Sequence, residues 1–223
     1  VILFFLCILI TGERSNTLKF LFGTLIFVSL NHFIRVKLLF FVSVILLLLL
    51  SYFSSDRLQL RYGGQLINLV NNQEKREVFF EKNLYVKLYR SGFEVFKKYP
   101  VYGVGNKNYR LEVCGDGLNK KYVCNTHPHQ IYLEFLSEHG LLGSLSLLSI
   151  IFFLIFRNFK IMIRSKNMIQ IGAFCFLLTS FLPILPSGSF FTDFNATLFW
   201  LNFSIFYASN LETNIFKNGG LAQ

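Results

Sequence analysis

Three of the chain's four histidines, His127, His129 and His139, fall in one stretch, CNTHPHQIYLEFLSEHGLLG, from Cys124 to Gly143. Imidazole titrates near neutrality, so a cluster of this kind is suited to taking and giving protons at a reacting centre. Pro128 presses His127 out of the helical region. That leaves His129 at or near the start of a helix running on through Leu133, Leu136 and Leu141. A helix N-terminus lowers an imidazole pKa, which keeps the ring neutral and able to accept a proton near pH 7, and it favours an anionic ligand nearby. A plainer reading makes the three histidines interfacial polar side chains. A further alternative is metal binding, with His139, Cys114 or Cys124 completing a site begun by His127 and His129. Zinc ligands usually come at tighter, repeated spacings, and chelator sensitivity would test it.

Cys114 and Cys124 flank a short polar turn with Gly115 and Gly117. On an oxidising side of a membrane that pattern predicts a disulfide, whereas Cys7 and Cys175 lie in apolar runs and read as packing residues. Upstream, GVGNKNYR sets Gly103 and Gly105 beside Lys107, Asn108 and Arg110. Two glycines one residue apart let backbone turn tightly and approach a ligand, though a simple turn after Pro100 would use them too. Arg14, in TGERSN, ends an apolar run beside Glu13. Most such arginines snorkel to headgroups, but a guanidinium fork also suits a diphosphate.

The elements that must position these residues follow from composition. The 223 residues carry 22 Lys plus Arg against 12 Asp plus Glu, a formal charge of +10, and 53% are hydrophobic while only 15% are charged. A soluble domain has about 25% charged residues, and 28 Phe are far too apolar for a solvated coil. The apolar residues are gathered in blocks, as a bilayer demands. Val1 to Ile10 reads as the tail of a helix whose start lies upstream, so the chain reads as N-terminally incomplete. Five further apolar segments follow: Leu18 to Ile34, Val36 to Phe53, Leu141 to Phe156, Met168 to Leu182 and Ala196 to Ala208. Several are short for a hydrocarbon core of about 30 Å. Asp56 to Glu81 reads as a polar connection with a break at Gly63 and Gly64. Asn83 to Tyr99, with Leu84, Leu88, Phe93 and Phe96 at roughly helical spacing, reads as an amphipathic helix at the membrane surface that ends at Pro100.

The short connections set orientation through their basic residues. Arg35 and Lys37 occupy one turn; Arg157, Lys160, Arg164 and Lys166 occupy another on the same side, with Lys217 in the tail. That side is the cytoplasm. The opposite side holds the turn at Thr11 to Thr17, the connection Pro183 to Asn195, and Ser54 to Gly140. The expected architecture is all-α and integral to the membrane: a multi-pass helix bundle over 1–53 and 141–209, an extracytoplasmic loop with helical segments over 54–140, and a cytoplasmic tail over 210–223.

The outward TGERS turn, the aromatic and basic helix ending in KKYPVYGVGNKNYR, and CNTHPHQIYLEFLSEHGLLG entering a helix together resemble the O-antigen ligase and O-antigen polymerase superfamily of bacterial envelopes. The resemblance implies a partial GT-C-like bundle in the bacterial inner membrane, with its active site facing the periplasm. It implies an enzyme that needs no cofactor, metal or nucleotide sugar. The donor would be a glycan on undecaprenyl diphosphate, the acceptor a lipopolysaccharide core sugar or another glycan. The partners would be these and membrane lipids, with no nucleic acid. By that resemblance His129 falls on the family's essential histidine and Arg14 on an essential arginine. A second family arginine aligns near Tyr85, and Arg90 is its candidate, with Lys87 nearby. Gln130 replaces an Asn common at that place. The implied reaction is inverting, with His129 as base, Arg14 and Arg90 on the diphosphate, and Gly103, Gly105, Lys107, Arg110 and His127 contacting substrate. A polymerase joining lipid-linked repeats, a protein-glycosylating relative, and a non-catalytic permease or scaffold fragment are the competing readings. The last predicts ionisable residues inside the helices, and these have almost none away from their ends.

Overall fold

In the computed structural model, residues 2–30, 34–64, 71–115 and 122–214 are described, and among them the chain is helical with no strand. Gly117 and Lys217 lie outside these residues. The chain divides into two compact units, Val1–Glu81 and Lys82–Gln223.

The first unit holds α1 (Ile2–Thr11), α2 (Arg14–Leu30), α3 (Ile34–Phe53) and α4 (Asp56–Leu58), a π-helical turn over Gln59–Gly64, and α5 (Gln73–Lys82). Phe5 of α1 stacks on Phe20 of α2 with ring centroids 5.8 Å apart. On α3, Leu38, Leu39, Val42, Ile45, Leu46 and Leu50 are each more than half exposed. A helix apolar on every side suits lipid rather than water. The segment expected to be a polar connection, Asp56 to Glu81, instead contains α4, the π-turn and α5. Its polar composition is compatible with an exposed helix, and in α5 no residue is buried.

The second unit runs α6 (Leu84–Lys98), α7 (Tyr109–Cys114), α8 (Ile131–Arg157), α9 (Phe159–Ser165), α10 (Met168–Ser180) and α11 (Asp193–Ala208). Polar side chains start the helices. Asn83 accepts from the N–H groups of Tyr85 and Val86, Gln130 from Leu133, Asn167 from Ile169 and Gln170, and Thr192 from Asn195. Gly140, with φ 63° and ψ −168°, breaks α8 into a first segment over 131–139 and an apolar one from Leu141. The positive φ is one that L side chains rarely adopt. Ile131–Ser165 is, among the described residues, the one helical stretch long and apolar enough to cross a membrane, while Lys37–Phe53 and Met168–Ser180 are apolar but shorter. The basic turn expected after Phe156 is the short helix α9, closed by Lys166 in the left-handed region. Helices α10 and α11 pack through Phe174 and Phe206, 6.0 Å apart. Gln170 is fully buried between them and satisfied: its amide donates to the Phe206 carbonyl and to Thr213 Oγ1, and its oxygen accepts from Asn210.

Candidate functional site

The histidine segment is held in place by α6. That helix buries Leu88, Ser91, Gly92 and Val95, a stripe at helical spacing. Gly92 permits close approach, because a Cβ there would lie 2.7 Å from Pro128 Cβ. Ser91 donates to the Lys87 carbonyl and accepts from the Val123 N–H at 2.8 Å, so one hydroxyl ties the helix to the non-helical stretch leading into the histidines. A disulfide joins Cys114 at the end of α7 to Cys124. With both thiols in that bond, neither serves as a metal ligand, and among the described residues no group of three or more His, Cys, Asp or Glu could hold a metal ion.

The His127 and His129 rings lie against one another at a tilt of 37°, their centroids 4.0 Å apart. His129 lies two residues ahead of α8, with φ 57°, and its carbonyl accepts from the Ser187 N–H at 2.9 Å. The edge of Tyr85 meets the His129 ring at 5.9 Å. Burial pushes the His127 pKa down to about 4, helped by the neighbouring His129 ring, and burial likewise lowers His129. Both rings are therefore neutral at pH 7. The sequence pattern pointed to the helix N-terminus as the cause; the first cause is desolvation. His139 does not join the pair. It lies more than two turns into α8, against Phe191 at 4.9 Å.

Two buried carboxylates on the first segment of α8, one turn apart, each hold a loop. Glu134 accepts from the Ser189 hydroxyl and from the Phe190 N–H at 2.9 Å. Glu138 accepts from the Lys107 N–H at 3.0 Å, and the Gly103–Lys107 turn also donates from Val104 to the Ser137 carbonyl and from Gly105 to the Glu138 carbonyl. Burial raises the Glu134 pKa to about 7 and raises Glu138 as well, against the donors that lower both. Gly103 and Gly140 make the fit possible: a Cβ at Gly103 would lie 2.3 Å from the Glu138 carbonyl carbon, and one at Gly140 would lie 2.3 Å from the Val101 oxygen. The two loops meet where Lys107 Nζ approaches Asp193 at 3.9 Å, an exposed pair. Tyr89 donates to the Ile184 carbonyl at 3.1 Å, fastening the second loop to α6.

Lys107 and Arg110 are exposed on the turn and on α7. Arg90 is exposed on α6, and the residue of that helix placed against His129 is Tyr85 instead. Arg14 belongs to the first unit, where it lines a cavity of about 430 Å³ walled by Leu9, Leu18, Leu48, Leu49 and Leu58. Glu134, Glu138, Ser189 and the capping role of Gln130 escaped the sequence reading. The available signal was two carboxylates four residues apart on an otherwise apolar helix, which only partners can make tolerable.

Residues 1–148 match the family model for O-antigen ligases, a span that includes the TGERS turn, the Gly103–Lys107 turn and the histidine pair. The chain belongs to the O-antigen ligase family. Members of this family are glycosyltransferase-like bacterial membrane proteins. No curated protein and no solved structure matches the chain.

Proposed function

We propose that this O-antigen ligase family member transfers a glycan from undecaprenyl diphosphate to a lipid A core sugar, without metal and with inversion at the anomeric carbon. The observation that carries the reading is the neutral His127 and His129 pair, packed ahead of α8 inside the region that matches the family. A neutral ring is ready to take a proton.

In this reading His129 removes the proton of the acceptor hydroxyl as its oxygen bonds to the anomeric carbon. The bond from that carbon to the diphosphate oxygen breaks, and undecaprenyl diphosphate leaves with its electron pair. Arg14 and Arg90 are assigned to the growing charge on the leaving group by the family resemblance, an electrostatic role that is often the largest in catalysis. Gly103, Gly105, Lys107, Arg110 and His127 are assigned to donor or acceptor contacts. The protein is placed in the inner membrane as a multi-pass bundle, with 54–140 on the periplasmic side, where the Cys114 and Cys124 bridge would persist.

The test is complementation of a strain lacking the gene. The wild-type chain restores polymer attached to lipid A core, and His129→Ala leaves the polymer unattached although the protein inserts. Normal attachment with the variant refutes the base role. Single repeats on the core after deletion, instead of free polymer, would move the activity from ligase to polymerase.

A further inference from the structure

We propose that Asn125 is the positioning residue that decides which nitrogen of His129 carries the proton, leaving Nε2 as the unprotonated, basic one. The inference rests on the base role of His129 just proposed and adds a residue that sets its tautomer. Asn125 is half-buried one residue after the disulfide-bonded Cys124.

The orientation of its amide is fixed by a group that can act in one way only. The main-chain N–H of Thr126 is a donor and lies 2.6 Å from Asn125 Oδ1; the Thr126 hydroxyl donates to the same oxygen at 3.3 Å. The oxygen end of the amide therefore faces Thr126, and Nδ2 is the end that lies 3.4 Å from His129 Nε2. An amide nitrogen donates and does not accept. Nε2 must then present its lone pair, and in a neutral imidazole the single proton is on Nδ1.

Neutrality has its own support, since burial disfavours the charged ring. The ring is flanked on two further sides, by the tilted His127 ring and edge-on by Tyr85, and the Ser187 N–H holds the main-chain carbonyl of the same residue. The bond from Asn125 is long, near the weak end of the hydrogen-bond range. An incoming sugar hydroxyl displaces it at little cost and finds the lone pair already aimed. The wrong tautomer would present N–H to that hydroxyl and could not take its proton.

The test uses the full chain in lipid nanodiscs with ¹⁵N-labelled histidine, and long-range ¹H–¹⁵N correlation to read the tautomer, with His129→Gln assigning the resonance. The wild-type protein should show Nδ1 protonated and Nε2 bare. Asn125→Asp puts a carboxylate oxygen where the amide nitrogen was; it should draw the proton to Nε2 and lower kcat by roughly 10²-fold or more with KM little changed, as wrong-tautomer variants of other general-base histidines do. Asn125→Ala should give mixed tautomers and a smaller loss of kcat. A wild-type ring protonated on Nε2, or an Asn125→Asp variant with unchanged tautomer and kcat, overturns the inference. If the tautomer shifts as expected but His129→Gln still transfers glycan, the positioning role stands and the base role fails.

Discussion

Helices α5 and α6 follow one another with only Asn83 between them, and both mix basic, acidic and aromatic residues, yet α5 buries nothing while α6 buries Leu88, Ser91, Gly92 and Val95. In α5 the apolar residues Val78, Phe79 and Phe80 are consecutive, so the helix spreads them around its axis and no single face can pack. In α6 they recur every three or four residues and line one face. The first pattern leaves Val78 and Phe80 about half exposed; the second leaves Leu88 and Val95 essentially inaccessible. The period of the pattern, rather than the amount of apolar surface, selects the helix that carries the site. Among the described residues, the histidine segment is held by α6, α8, the loops they hold and the disulfide to Cys114 at the end of α7.

Leu88→Ala should test this contrast most severely. Removing a fully buried leucine costs about 2 to 5 kcal/mol, read as a lowered Tm of the solubilised protein. Gly92→Val comes next. Its side chain would enter the space of Pro128, and overpacking costs about 1 to 3 kcal/mol. Transfer should fall further than stability does, because Pro128 lies between the two histidines. A variant with full activity would show that the α6 contact does not set the site.

Glu134→Gln should cost about 1 to 2 kcal/mol, since an amide satisfies the Ser189 hydroxyl and the Phe190 N–H less well than a carboxylate. It should also change the pH dependence. Burial raises the wild-type Glu134 pKa from 4.5 to about 7. Between these values the folded state keeps a proton that the unfolded chain has lost. Stability from this group is complete below pH 4.5 and declines as pH rises through 7, and the variant should flatten that decline in a series of melting curves. The smallest effect is expected for Val78→Ala on α5, within about 0.5 kcal/mol. A large loss there would mean that α5 is covered by something, and the contrast with α6 would break.

Much of this arrangement was legible in the sequence. The apolar blocks gave α3, α10 and α11 to within a few residues, and the amphipathic spacing gave α6. His127 and His129 stood out by clustering, and the Gly103 turn by its two glycines. What could not be read was which face of α6 meets which segment, because Leu84 and Phe93 look as apolar as Leu88 but are about half exposed. The roles of Glu134 and Glu138 were hidden for a related reason. Their partners are a hydroxyl and main-chain N–H groups from loops tens of residues away, and backbone donors have no signature in side-chain pattern. The family resemblance set Tyr85 at the place of the second arginine, and Tyr85 is the residue of α6 that meets His129, a contact that only the rotation of α6 about its axis decides.

The most direct test of the central claim is the rate of glycan transfer by the purified chain from a lipid-linked donor, followed from pH 4 to pH 8 in wild type and His129→Gln. The wild-type acid limb should lie below the ordinary imidazole value of 6.5, because burial lowers the His129 pKa. The variant should lose about 10²- to 10⁴-fold in rate at neutral pH. A variant that transfers at the wild-type rate, with the same acid limb, would contradict the claim.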